Sequence, residues 1–139
     1  MVRMLILGTG GMAANHATKF AEIPGVTLVA GVDTRPAQLA EFNATHAIPN
    51  GFASIDEALA WGEFDAVANV TPDGAHYPTT MPMLAAGKHV LCEKPLATNA
   101  AHAEAMAEAA AKAGVVNMVN LSYRDVPALQ KAASMVREG

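Results

Sequence analysis

Glu93, Lys94 and Pro95 stand together in "LCEKPLA", directly after an apolar run that ends at Leu91–Cys92. At the carboxyl end of a strand in an open parallel sheet, such residues face the crevice where ligands collect. An amine there can polarise a substrate hydroxyl or relay its proton, provided burial and nearby charge bring its pKa toward working pH. The competing reading is an ordinary solvated turn. Two further stretches bear on the choice.

"LGTGGMA" sets Gly8, Gly10 and Ala13 in G-x-G-x-x-A register, after a short apolar run and at the opening of a helical pattern. Gly8 permits a tight turn, Gly10 lets the backbone approach a pyrophosphate, and Ala13 keeps helix and strand close. Unpaired N–H groups at the helix start favour an anion, so Thr9, Gly11 and Met12 join the candidate cofactor set. Asp33 follows twenty positions after Ala13, at the end of the next apolar run. Its carboxylate can accept from an adenosine ribose and repel a 2′-phosphate, which favours NAD over NADP. Arg35, with Thr34 beside it, leaves NADP possible. Asp33 can also be read as a plain turn residue before Pro36.

"VTPDGAHYP" follows the fourth apolar run, near the point where such a sheet reverses its topology. Thr71 and Pro72 leave the strand, Asp73–Gly74 forms a turn, and His76 stands just before a helix. His76 either holds the loop or the cofactor, or it caps or packs the helix after it.

The elements that must position these residues alternate almost from end to end. Strands are expected at Arg3–Leu7, Val26–Val32, Ala66–Val70, His89–Cys92 and Val115–Asn120, with a weak one near Gly51–Ala53. Helices are expected at Gly11–Glu22, Pro36–Thr45, from Ser54, and at Thr79–Ala86, Asn99–Ala113 and Val126–Glu138. Ser54 and Glu57 have capping-box spacing, Asn99 is a cap, and Gly114 is a stop. Short connections between alternating strands and helices give an α/β fold: a Rossmann, doubly wound parallel sheet with helices on both faces.

Composition narrows the function classes. The chain has 139 residues, 52% of them hydrophobic and 16% charged, with nine basic and thirteen acidic residues. This fits one domain with a sizeable core and leaves no basic footprint for nucleic acid. No apolar run approaches the length needed to span a bilayer. One cysteine excludes an internal disulfide, and His16, His46, His89 and His102 lack metal-ligand spacing, so no metal is assigned. A cytoplasmic location is the expectation. Cys92 reads as a packing residue, and Trp61 likewise.

Taken together, "LGTGGMA", Asp33, "TPDGAH" and "EKP", in this order, resemble the Gfo/Idh/MocA oxidoreductases, the glucose–fructose oxidoreductase and inositol dehydrogenase family. The closing "SYRDVPALQKAASMVREG" is similar to that family's segment after the sixth strand, with Arg124 and Pro127 in familiar places. The resemblance covers essentially the whole chain. It implies an NAD(P)-binding domain that serves hydride transfer to or from a hydroxyl carbon of a sugar or polyol. It also implies that Lys94 reaches the substrate hydroxyl, that the Lys94–Pro95 bond is cis, and that Glu93 holds the nicotinamide ribose region. Thr71, Pro72 and His76 would serve the cofactor side. Arg124, after the last strand, either lines the cofactor site or only anchors the final helix. Family members carry a second α/β domain, absent here, that supplies proton-transfer residues and most of the substrate pocket. Residues 1–139 are thus expected to be the dinucleotide-binding part of a longer, homo-oligomeric protein, and inactive alone. The alternatives are a non-catalytic nucleotide sensor, against which Glu-Lys-Pro argues, and a methyltransferase that uses the glycine loop for an adenosyl group.

Overall fold

A computed structural model describes residues 1–139. Six strands form one parallel sheet: β1 (Val2–Leu7), β2 (Val26–Val32), β3 (Asn50–Phe52), β4 (Ala66–Asn69), β5 (His89–Cys92) and β6 (Asn117–Val119). Their order across the sheet is β3-β2-β1-β4-β5-β6, so the chain reverses direction of travel between β1 and β4. The connecting helices are α1 (Gly11–Ala21), α2 (Pro36–Thr45), α3 (Ile55–Trp61), α4 (His76–Ala85), α5 (Ala100–Ala113) and α6 (Pro127–Glu138). The doubly wound architecture expected from the alternation is the one found.

The core lies on both faces of the sheet because β1 is apolar all along its buried length. Met4 and Ile6 pack with Ala13 and Ala17 of α1 and Phe42 of α2. Leu5 and Leu7 pack with Ala58 of α3, Met83 and Leu84 of α4, and Met106 of α5. The β1–β2 register shifts between Met4 and Leu5, and Leu28 accordingly joins the first cluster while Ala30 and Val32 join the second. Trp61 packs between Phe52 and Phe64, at ring separations of 5.3 and 6.3 Å. Burial pushes the Cys92 thiol up to about 11, which suits a packing role.

Local signals fix most boundaries. Ser54 Oγ accepts from Glu57 N at 3.2 Å and Asn99 Oδ1 accepts from His102 N at 2.9 Å, so both caps stand where expected. Gly114 ends α5 in the left-handed region at φ 68°. One boundary moves substantially: α4 opens at His76, not at Thr79. Pro78 lies in its first turn, where no backbone N–H is needed, so it does not delay the helix. β6 is also shorter than expected, since Val116 N turns aside to His89 Nδ1. α6 has no buried residue, and its Leu129, Met135 and Val136 are exposed.

Arg3 ties β1 to the loop before β4, donating to Asp65 and Glu63. It holds the Asp65 carboxyl down at about 2, against an ordinary 3.8. A carboxyl depressed by folding contributes stability that is present above about pH 4 and lost as pH falls through about 2. Both side chains are more than one third exposed, at 41% and 37%, so solvent screening keeps the effect small. The thermal midpoint should therefore fall more steeply from pH 4 to pH 2 in the wild type than in Asp65→Asn. Parallel curves would contradict this assignment.

Candidate functional site

The carboxyl ends of β1, β2, β3 and β4 open onto one cavity of about 890 Å³. Parallel strands make this inevitable, because all their carboxyl ends share one edge. Gly8, Gly10, Gly11 and Met12 form its floor, Asp33, Thr34 and Arg35 one end, and Thr71 and Pro72 the other.

The floor is built to receive an anion. Gly8 turns the chain at φ 87°, and a Cβ there would lie 3.0 Å from the Val70 carbonyl oxygen. At Gly10 and Gly11 a Cβ would meet nothing within 4 Å, so these two glycines leave open space instead of relieving a clash inside the protein. α1 has no side-chain cap, and the N–H groups of Gly10, Gly11 and Met12 have no acceptor within the chain. Three free donors at a helix N-terminus, beside space that only glycine leaves, fit the diphosphate of a dinucleotide. Ala13 is fully buried against the sheet, the close packing its small side chain predicts.

Asp33 is the most heavily bonded carboxylate in the site. Its Oδ2 accepts from Thr9 N and Thr9 Oγ1, both at 2.9 Å. Arg35 folds back on it, with Nε 3.0 Å from Oδ1 and Nη2 3.0 Å from Oδ2, and its own N–H donates to Oδ1 at 2.9 Å. The Arg35 guanidinium first, then the Thr9 donors, hold this carboxyl well below the usual range against the opposing effect of burial. Asp33 has a 5% exposed side chain and Arg35 a 62% exposed one. The guanidinium can swing into solvent; the carboxylate cannot move. Thr9 itself points away from the cavity, bonding Asp33 and accepting from Gln38 Nε2 through its carbonyl.

The far end is shaped by a buried asparagine. Asn69 Oδ1 accepts from Thr71 N and Thr71 Oγ1, while Nδ2 donates to Thr79 and Thr80 hydroxyls. His76 is fully buried, and its ring nitrogens face the carbonyl oxygens of Pro95 and Thr71 at 2.7 and 2.8 Å. His76 thus ties the Thr71 loop to the Glu93–Pro95 turn, and neither nitrogen is free for a ligand. Of its expected roles, holding the loop is the one the geometry favours.

The Glu93–Pro95 turn follows β5 at the same edge but does not line the cavity. The Lys94–Pro95 peptide is cis, and Lys94 is exposed. Glu93 is buried and its carboxylate is engaged inside the protein. Its Oε1 accepts from His16 Nε2 and Asn120 Nδ2, both at 2.7 Å, and Oε2 accepts from Lys94 N at 3.1 Å. Burial alone would raise this carboxyl, but the Asn120, His16 and Lys94 donors outweigh it and hold it below its ordinary value. Arg124 is not brought to the cavity. It lies on a one-turn helix, Ser122–Asp125, in a separate surface hollow with Leu129 and Arg137, and its carbonyl accepts from Gln130 of α6. Of its two expected roles, lining the site or anchoring the last helix, the second is the one this placement favours.

Other lining residues were not among the expected cofactor contacts. Ala53, Ser54, Ile55 and Asp56 reach the cavity from the carboxyl end of β3, and Pro78, Thr79 and Pro82 from α4. The available signal was topological, since every parallel strand delivers its following loop to the same edge. No group of three or more His, Cys, Asp or Glu side chains lies together to hold a metal ion. No helix is long and apolar enough to cross a membrane.

Residues 2–121 match the model of an oxidoreductase family with an NAD-binding Rossmann fold, GFO_IDH_MocA. Scyllo-inositol 2-dehydrogenase (NADP(+)) IolU of Bacillus subtilis is 35% identical over 127 residues, 91% of this chain and 39% of that protein. Trans-1,2-dihydrobenzene-1,2-diol dehydrogenase of Oryctolagus cuniculus is 32% identical over 138 residues, 96% of this chain and 41% of its own length. Among solved structures, the WlbA dehydrogenase of Bordetella pertussis, in complex with NADH and UDP-GlcNAcA, superposes with a TM-score of 0.93 at 31% identity. That match covers 99% of this chain and 41% of that one. Scyllo-inositol dehydrogenase of Lactobacillus casei, with NAD(H) and scyllo-inositol bound, gives 0.90 at 26% identity over 100% of this chain and 42% of that one. The chain therefore spans about two fifths of the length of the curated relatives it matches.

Proposed function

The chain belongs to the Gfo/Idh/MocA oxidoreductase family, and from that premise we propose that its cavity binds NAD(H) for hydride transfer at a hydroxyl-bearing carbon of a sugar or polyol. The observation that carries this is the cavity floor, with three unpaired N–H groups over space left open by Gly10 and Gly11. Those donors would take the diphosphate. Asp33, with Thr34 and Arg35, would hold the adenosine ribose. Thr71 and Pro72 would line the nicotinamide half, with Glu93 and Pro95 shaping the turn beside it. The cofactor, when bound, supplies the hydride acceptor or donor, and these residues bind and orient it.

Lys94 is the catalytic residue in this reading and would meet the substrate hydroxyl at the cofactor's nicotinamide end. Its exposure supports a division of labour in which residues 1–139 are the dinucleotide-binding domain of a longer protein. A second domain would supply the wall that desolvates the lysine, most of the substrate pocket and a proton-transfer partner. These residues alone would then bind cofactor without turnover. A homo-oligomer acting in the cytoplasm completes the proposal.

Thermal shift tests the binding half directly. A ligand at about 100 times its Kd stabilises by roughly 2.7 kcal/mol, a shift of several degrees for a chain of this size. NADH should produce such a shift, NADPH a smaller one, and S-adenosylmethionine none. A shift with S-adenosylmethionine alone would replace this reading with a methyltransferase. Equal shifts with NADH, NADPH and unrelated nucleotides would favour a sensor.

A further inference from the structure

His16 is three residues past Ala13 on α1, and its side chain is 11% exposed, as is that of Glu93. The Glu93 carboxylate joins three segments far apart in sequence: α1 through His16, the turn after β5, and the residue after β6 through Asn120. A carboxylate only accepts, so His16 Nε2 carries the proton it donates. Backbone bonds complete the frame, with Glu93 N donating to Asn69 O and Asn120 N donating to Cys92 O. Oε1 is occupied by the two side-chain donors, which leaves Oε2 aimed at the peptide N–H of Lys94 at 3.1 Å.

We propose that His16 and Asn120 are positioning residues that act through Glu93 to hold the Lys94 turn at the cofactor edge. The helix that presents the glycine floor thereby also fixes the turn that carries the lysine, and α1 serves both ends of the site. Three hydrogen bonds, two of them from side chains and all to a charged acceptor, keep the carboxylate in one orientation. Without His16 or Asn120, the carboxylate would turn toward water and release the Lys94 amide. The link to cofactor rests on the NAD(H) reading above; the link to Lys94 does not.

The test compares His16→Ala with His16→Gln, which keeps a donor at similar reach, and with Asn120→Ala. Amide hydrogen exchange at Lys94 and NADH affinity are measured for each. His16→Ala and Asn120→Ala should speed Lys94 exchange and weaken NADH by about tenfold each, the usual scale for a lost hydrogen bond to a charged group. His16→Gln should restore both to within about threefold. A merely structural role would not discriminate Ala from Gln at this one amide. The proposal is overturned if Lys94 exchange is unchanged in folded His16→Ala, or if His16→Gln is as impaired as His16→Ala. Should His16→Ala fail to fold, Asn120→Ala carries the same two expectations. Should the wild type fail to bind NADH, the functional reading falls, and Lys94 exchange still decides this inference.

Discussion

Gly10→Ala is expected to leave the fold intact and to remove most of the cofactor affinity, whereas Gly8→Ala should damage both. Gly10 has φ −76°, a value any residue adopts, and an added Cβ meets nothing within 4 Å. The substitution should therefore change unfolding stability by less than about 1 kcal/mol. The new methyl stands in the space a diphosphate needs to reach the free N–H groups, so NADH affinity should fall by at least about tenfold. Gly8 differs on both counts. Its φ is 87°, and a Cβ would press on the backbone of Val70 and Thr71 at 3.0 to 3.1 Å. The conformation alone costs about 1–3 kcal/mol, and backbone atoms cannot yield as a flexible side chain would. Urea unfolding and NADH titration on the two variants separate the effects. Wild-type affinity in folded Gly10→Ala would count against the floor as the diphosphate site.

Asp33→Ala is expected to lower stability and to shift cofactor choice toward NADPH. The carboxylate satisfies Thr9 N, which is buried, and a buried N–H left without an acceptor costs about 1–3 kcal/mol. Arg35, 62% exposed, can rehydrate, so its lost pairing adds little. Cofactor choice responds for a second reason. Arg35 now occupies the carboxylate, and ribose hydroxyls must displace it to be accepted. Removing the carboxylate frees the guanidinium for a 2′-phosphate and removes the charge that would repel one. The NADH-to-NADPH affinity ratio should fall by about tenfold or more. An unchanged ratio would sink the ribose role of Asp33, as would a clear preference of the wild type for NADPH.

Features that depend on near neighbours were legible in the sequence. The glycine loop, the caps at Ser54 and Asn99 and the alternation of strand and helix need only local chemistry, and parallel topology then placed their loops on one edge. Pro78 misled because a proline in the first helical turn looks, in sequence, like the end of a loop. The deeper site was not legible because its bonds are long-range. His16 is 77 residues from Glu93, and Asn120 is 27 residues from it, with no spacing rule to join them. Asn69 read only as part of an apolar run, yet it braces Thr71 and α4. Arg35 stands two residues after Asp33, but only the fold shows that its guanidinium folds back onto the carboxylate. Arg124 follows the last strand, a position that allows either a site contact or an anchor, and its contact with Gln130 of α6 favours the anchor.

The central claim is that these residues bind NAD(H) along the carboxyl edge of the sheet, with the diphosphate on the floor of α1. An NADH titration followed by amide chemical shifts on the uniformly ¹⁵N-labelled chain tests it most directly. The expected result is saturable shifts strongest at Gly10, Gly11 and Met12, extending to Asp33–Arg35, Thr71 and the Lys94 turn, with α6 unmoved. Saturable shifts that spare the Gly10–Met12 amides, or no saturation at millimolar NADH, would contradict it.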